Sequence, residues 1–332
     1  MAPVTSAKDL SRIAYGFMAS KALFTALNLD LFTLLAERPK TLDELTLEVG
    51  ITAPRLEVLL DVCQSQGLVQ KHEGYYHNAP ACERYLVRGA PGDFGDYYRY
   101  QIDQQIFPAM MCLKQRLEGE MPPQYLATRE SEKEAECFHR GQHAGSRGPA
   151  MMLARTLDLT TKRRLLDVGG GSGAMSIALC RKNEQLHATI LDFPNAVNMA
   201  HRYISQEGMS GKIDVLAGDA LETEWPDGMD VILFSYLLSA ISIQDMPGLL
   251  QKAWRALVPG GMLVVHDFLL SDEGESPSLA SMWTLAHLVA NPDAGALTPQ
   301  RLRSVLEQSG FGGVQNQELI PEITSLVTAV KS

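Results

Sequence analysis

Apolar positions follow two regimes along this chain. From Ser11 to Leu35 they recur at helical spacing, with Ile13, Phe17, Ala22, Leu23, Leu27 and Leu31 mostly on one side, which predicts a long amphipathic helix. Thr41 followed three residues later by Glu44 is a capping box opening a short helix that stops at Gly50. A further helix starts near Pro54 and carries Leu56, Leu59, Leu60 and Val62. After Gly67 the spacing changes, and Gly74 followed by Tyr75 and Tyr76 predicts a hairpin. Helix, turn, helix and hairpin together predict a winged helix.

Past the middle of the chain the apolar residues come instead as short runs that end in acids or glycines. Leu165, Leu166, Asp167 and Val168 break into Gly169, Gly170, Gly171, Ser172 and Gly173, where a helix begins. Ala188 to Leu191 ends in Asp192, and Lys212 to Leu216 leads to Gly218, Asp219 and Ala220. Asp230 to Tyr236 follows, then a helix, Pro259-Gly260-Gly261, and a strand from Met262 to Val265 entering His266 and Asp267. Strands alternating with helices predict an α/β fold, and acids at the carboxyl ends of its strands predict a nucleotide-type cofactor site. Glycines let the backbone turn tightly and approach a ligand, while the next helix offers free N–H groups at its start. Gly169, Gly171 and Ala174 also fit the dinucleotide fingerprint, so a nicotinamide-dependent oxidoreductase is the competing class.

The order of acid-tipped strands resembles the class I S-adenosylmethionine-dependent methyltransferases. That resemblance implies a Rossmann-like seven-stranded core, S-adenosyl-L-methionine as cofactor and S-adenosyl-L-homocysteine as product. It places Asp167, Gly169 and Gly171 at the methionine end, Asp192 at the ribose and Asp219 at the adenine, with Phe193, Gly218, Ala220 and Ser235 completing the cofactor site. With the winged helix and a helical connector ahead of it, nearly the whole chain resembles the O-methyltransferase family that includes plant caffeate and hydroxyindole enzymes. The implied organisation is a winged-helix dimerisation domain over 1–90, a connector contributing to the substrate pocket over 91–155 and a cofactor-binding domain over 156–332. It also implies an intertwined homodimer through the N-terminal domain. The most loop-like linkers run from Arg88 to Gly95 and from Leu117 to Arg129.

One departure from that family bears on the chemistry. Members that methylate hydroxyls carry a His-Asp-Trp run after the fourth core strand, its histidine removing the acceptor's proton. Here Ser239, Ala240 and Ile241 stand in that place, and His266 with Asp267 beside it replaces the acid that orients the histidine. A serine hydroxyl is no general base at neutral pH. Two explanations follow: His266 is a relocated base for O-methylation, or no base is needed because the acceptor is a thioether, which has no proton to lose. Transfer to a thioether needs in-line proximity and aromatic or carboxylate groups around the travelling positive charge.

The segment Phe138 to Gly148 carries His139, Arg140, His143 and Arg147 at helical spacing, so one face can present cations to a small anionic substrate. Trp283, His287 and Asn291 form a second row, i, i+4, i+8, suited to a pocket wall. The runs around Ser239, His139 and His266 look like those of the bacterial methylthiohydroxybutyrate S-methyltransferases of dimethylsulfoniopropionate synthesis. The resemblance implies that Arg140, Arg147 or His143 anchors a carboxylate, that Tyr236 and Trp283 border the thioether, and that Ser239 is a bystander or hydroxyl ligand. A dimer that binds the cofactor without turnover is the remaining alternative.

Composition narrows the partners. The chain has 332 residues, enough for two domains, and a net charge of −10, which disfavours binding to nucleic acid or an anionic membrane surface. The helix from Ala53 to Cys63 sets Arg55 against Glu57 and Asp61, a poor groove-reading face. No apolar run approaches a membrane span and the first residues do not read as a signal peptide, so a cytoplasmic protein is expected. The five cysteines are scattered, which predicts packed reduced thiols. His266, Asp267 and His287 lack a diagnostic ligand spacing, and no metal is expected.

Overall fold

A computed structural model describes residues 3–119, 131–273 and 276–332, so most of the linker from Leu117 to Arg129 lies outside the described residues. The chain divides into two units, 1–105 and 106–332. The boundary falls inside the segment read above as a connector.

The first unit contains α1 (Ala7–Asn28), α2 (Leu31–Glu37), β1 (Lys40–Thr41), α3 (Leu42–Val49), α4 (Ala53–Ser65), β2 (Val69–His72), β3 (Tyr75–Asn78) and α5 (Pro80–Tyr85), followed by a π-helical turn over Tyr97–Ile106. Its antiparallel sheet has the order β1-β3-β2. Both sequence-read signals act as expected: the Thr41 and Glu44 side chains cap each other's backbone at the start of α3, and Gly50 ends it at φ 71°. At the hairpin Glu73 and Gly74 are both left-handed, at φ 50° and 85°, the conformation that matches the twist of two paired strands. This is the predicted winged helix, closed over Leu27, Leu31, Phe32, Leu45, Leu56 and Tyr76.

The single helix expected from Ser11 to Leu35 is instead two. It breaks at Asp30, which sits at φ 54°. Arg99, almost fully buried, donates to the Leu27 carbonyl at 3.0 and 3.2 Å and to the Asp30 carboxylate at 2.9 Å, and Arg88 reaches the same carboxylate at 2.8 Å. The guanidinium satisfies a carbonyl that the helix end leaves open. The apolar stripe is split as well: Leu27 and Leu31 are buried, whereas Leu10, Ile13, Phe17 and Met18 are all more than half exposed.

In the second unit come α6 (Phe107–Met110), α7 (Leu113–Leu117), α8 (Glu132–Thr156), β4 (Arg164–Val168), α9 (Ala174–Lys182), β5 (His187–Asp192), α10 (Pro194–Gln206), β6 (Ile213–Ala217), β7 (Met229–Ser235), α11 (Met246–Ala256), β8 (Leu257–Asp267), α12 (Ser278–Ala290), α13 (Pro299–Gln308), β9 (Phe311–Ile320) and β10 (Thr324–Lys331). The sheet has seven strands in the order β6-β5-β4-β7-β8-β10-β9. The first five are parallel, while β10 pairs antiparallel with both β8 and β9. Leu165, Leu166, Val168, Ile232, Leu233 and Phe234 are inaccessible, because helices cover both faces of the central strands. Strand order reverses beside β4, where open α/β sheets form their ligand crevice. This is the α/β fold anticipated from the acid-tipped runs.

Among the described residues no single helix is long and apolar enough to cross a membrane. Cys63, Cys82 and Cys180 are free, buried thiols.

Candidate active site

The loop after β4 is shaped by its glycines. Gly169 and Gly171 take φ 68° and 55°, and a Cβ on Gly170 would lie 2.7 Å from the Asp167 carboxyl carbon. The backbone therefore runs directly over that acid. Asp167 is inaccessible; its Oδ2 accepts from Ser176 Oγ at 2.7 Å, while Oδ1 has no partner. Burial pushes its carboxyl up to about 6, against the pull of the Ser176 hydroxyl. At the tip of β5, Asp192 accepts from the N–H groups of Gly171 and Phe193, each at 2.7 Å, and burial raises it to about 6 in spite of both donors. Gly218 N–H donates to the Asp192 carbonyl at 2.9 Å, which sets Gly218, Asp219 and Ala220 beside that tip, and Asp219 caps the N–H of Leu221. Asp167, Asp192 and the turn from Gly218 to Ala220 are thus brought to neighbouring strand ends, and Asp167, Gly169 and Ser235 share a crevice with Gln142, Ser146 and Tyr236.

His266 does not fit the role of a relocated base. It is inaccessible, with Nδ1 3.0 Å from Ser235 Oγ and Nε2 3.0 Å from Thr324 Oγ1, so both ring nitrogens are engaged. Burial pulls its pKa down to about 3. Nor does it stand in for the orienting acid. Asp267 does: its carboxylate accepts from Ser239 Oγ at 2.5 Å, Ser239 N–H at 3.0 Å and Phe268 N–H at 2.9 Å. The acid is retained and its basic partner is missing. Ser239 is 3% exposed and spends its hydroxyl on Asp267, so it is held in the frame.

The expected cationic face of α8 is electrically neutral where it meets the core. His139, Gln142, His143 and Ser146 turn towards the glycine loop: Ser172 Oγ lies 2.9 Å from His143 Nδ1, and a Cβ on Gly171 would come within 2.7 Å of Gln142 Oε1 and 3.7 Å of His139 Nδ1. Burial lowers both His139 and His143 to about 4, so neither carries charge at neutral pH. His143 also stacks on Tyr203, with ring centroids 3.7 Å apart. Arg147 is exposed and Arg140 half-buried, so Arg140 is the better placed of the two expected carboxylate anchors.

An aromatic row lies on the other side of Tyr236. Its ring stacks with Phe268 at 5.0 Å, Phe268 stacks with Trp283 at 5.2 Å, and Trp283 meets His287 at 5.8 Å. Tyr236 itself sits at φ 57°, an uncommon conformation for a residue with a Cβ, stationed at the end of β7. His287 Nδ1 is buried without a partner and burial lowers the ring to about 4. Asn291 departs from the expected wall: its side-chain amide donates to the Ala240 carbonyl at 3.0 Å and braces the turn that carries Ser239. Phe268, Asp267, Gln142 and Ser146 are site residues to which the pattern of residues alone assigns no role.

A family model described as an O-methyltransferase domain matches residues 111–312, and one described as an O-methyltransferase dimerisation domain matches residues 11–88. The chain belongs to the O-methyltransferase family. It is an S-adenosylmethionine-dependent methyltransferase. A 3-hydroxy-5-methyl-1-naphthoate 3-O-methyltransferase of Streptomyces sahachiroi is 30% identical over 285 residues, covering 84% of this chain and 82% of that protein. An L-tyrosine C(3)-methyltransferase of Streptomyces lavendulae is 27% identical, covering 87% and 82%. Among solved structures, human N-acetylserotonin methyltransferase in complex with SAM superposes with a TM-score of 0.88 at 24% identity over the whole of both chains, a likeness of fold. Relatives of this methyltransferase thus bear names with different acceptor atoms, and membership does not fix the acceptor.

The residues present fit the cofactor: an orphaned carboxylate oxygen on Asp167 faces a loop with no room for a Cβ, and a second carboxylate stands at the neighbouring strand end. The dimerisation domain supports formation of a homodimer, and the exposed apolar half of α1 is the kind of surface such an interface covers.

Proposed function

We propose that this enzyme methylates a small acceptor whose nucleophilic atom has no proton to lose, and that the acceptor is a thioether bearing a hydroxy acid, 4-methylthio-2-hydroxybutyrate. The observation that carries the reading is the Ser239–Asp267 pair, an orienting acid whose basic partner is absent. Bound S-adenosylmethionine supplies an electrophilic methyl group on a sulfonium centre. Asp167 accepts from the ammonium of its methionine end, Asp192 from the ribose hydroxyls and Asp219 from the adenine amine. The glycine loop, Phe193, Gly218, Ala220 and Ser235 wall that ligand. Tyr236, Phe268 and Trp283 offer aromatic faces to the positive charge that passes to the acceptor. His287 meets the acceptor's hydroxyl and Arg140 its carboxylate. Alignment of this kind supplies roughly 7–11 kcal/mol of a barrier with no proton transfer.

The test is incubation of the purified protein with S-adenosylmethionine and 4-methylthio-2-hydroxybutyrate, read by mass spectrometry for one added methyl group and S-adenosylhomocysteine. Turnover supports the reading. Turnover on phenols alone overturns it in favour of O-methylation, which the name of the Streptomyces sahachiroi relative favours. Cofactor binding without turnover on thioether, phenol or amine acceptors identifies a silent binder.

A pH profile checks the same chemistry. His139, His143 and His287 are held near 4 and His266 near 3, so all are neutral above pH 6 and none changes charge between pH 7 and 9. The rate with the thioether is expected to be flat across that range, whereas removal of a phenol's proton would make it climb. Below it, Asp167 and Asp192 lose charge as pH falls through about 6, so affinity for S-adenosylhomocysteine should weaken from pH 7 to 5.

A further inference from the structure

One polar group of α8 is left without work by this scheme. His139 is 5% exposed and its Nδ1 has no hydrogen-bond partner, an uncommon condition for a buried polar atom. One turn along the helix, Gln142 lines the crevice and has no hydrogen bond through its carboxamide among the described residues. Both side chains point at Gly171: the Cβ position there is 2.7 Å from Gln142 Oε1 and 3.7 Å from His139 Nδ1. Across the same loop lies the orphaned Oδ1 of Asp167. His139 Nδ1 and the Gln142 carboxamide, both neutral, thus lie along the stretch of backbone that covers a buried acid.

That arrangement is complementary to a zwitterionic α-amino acid, whose ammonium suits the acid and whose carboxylate suits the donors. We infer that His139 and Gln142 belong to the cofactor site and bind the α-carboxylate of its methionine end, instead of contacting the methyl acceptor. The inference rests on S-adenosylmethionine lying along the glycine loop. His139 would act as the Nδ1–H tautomer, and Gln142 through its amide N–H with the carboxamide turned so that Nε2 takes the place of Oε1 beside the loop. Donation from uncharged groups leaves Asp167 as the charged partner of the ammonium and adds no competing cation.

The experiment compares two ligands by calorimetry. S-adenosylhomocysteine carries the amino-acid end, whereas 5′-deoxy-5′-methylthioadenosine keeps the nucleoside and sulfur without it. His139→Leu and Gln142→Leu should each weaken S-adenosylhomocysteine about tenfold, the worth of one hydrogen bond to a charged group, while methylthioadenosine binds both variants as it binds the wild type. His139→Asn keeps a donor near the Nδ1 position and should stay within about threefold of the wild type. Equal weakening of both ligands, or of neither, overturns the inference. Failure of the wild type to bind S-adenosylhomocysteine would overturn the cofactor placement itself, a distinguishable result. Methylthioadenosine binding also reports that each variant is folded.

Discussion

Asp192→Ala should weaken S-adenosylhomocysteine binding by a hundredfold or more, measured by calorimetry. The Asp192 carboxylate at the end of β5 accepts from Gly171 N–H and Phe193 N–H, fixing the glycine loop, and in the proposed placement its remaining lone pairs receive the ribose hydroxyls. Two charge-assisted hydrogen bonds at roughly 1.5 kcal/mol each account for about a hundredfold, and loosening of the loop adds to it. Asp192→Asn retains one acceptor and should fall between the two. Undiminished affinity in the alanine variant would remove the cofactor from this crevice altogether.

His266→Ala should cost stability before it costs rate. Deleting a buried imidazole leaves a cavity and strips the Ser235 and Thr324 hydroxyls of their shared partner, together worth about 3–4 kcal/mol. For a unit of this size that is a fall in Tm of about 10 °C, readable by calorimetry. At a temperature where the variant remains folded, methyl transfer should drop less than tenfold, whereas loss of a true general base would cost roughly 10²–10⁴. The pH dependence has a definite sign. The native ring is held near 3 against an ordinary value of 6.5, so its contribution is complete above pH 6.5 and is lost progressively as pH falls below it. The stability gap between wild type and variant should therefore narrow on acidification. A gap that widens instead would contradict a neutral buried ring.

Much of this site is legible in the residues alone, and where it is not the cause is physical. The strands β4 to β8 stand out because burial on both faces makes them continuous apolar runs, and their acids mark the crevice that such sheets share. Adjacent residues on a strand point to opposite sides, so whether His266 or Asp267 faces Ser239 depends on the register that pairs Ser235 with His266, and no local pattern displays that register. The charge of His139 and His143 is hidden for a different reason: spacing reveals a shared helical face but not the burial that neutralises it. The break at Asp30 depends on Arg88 and Arg99, brought in from 58 and 69 residues away. Leu29 and Leu31 on either side give no sign of it.

The way Asp267 is held bears on how this scaffold changes its chemistry over generations. Main-chain N–H groups at Ser239 and Phe268 donate to it, and the amide of Asn291 pins the neighbouring carbonyl of Ala240. The carboxylate is thus held largely by main-chain N–H groups that do not depend on the side chain at position 239, and the bend opposite it by Asn291. Position 239 behaves as a socket whose contents can be exchanged while its mounting stays in place. An ancestral lineage could lose or regain a proton-accepting residue there by substitution at one codon, without first rebuilding the sheet that carries it.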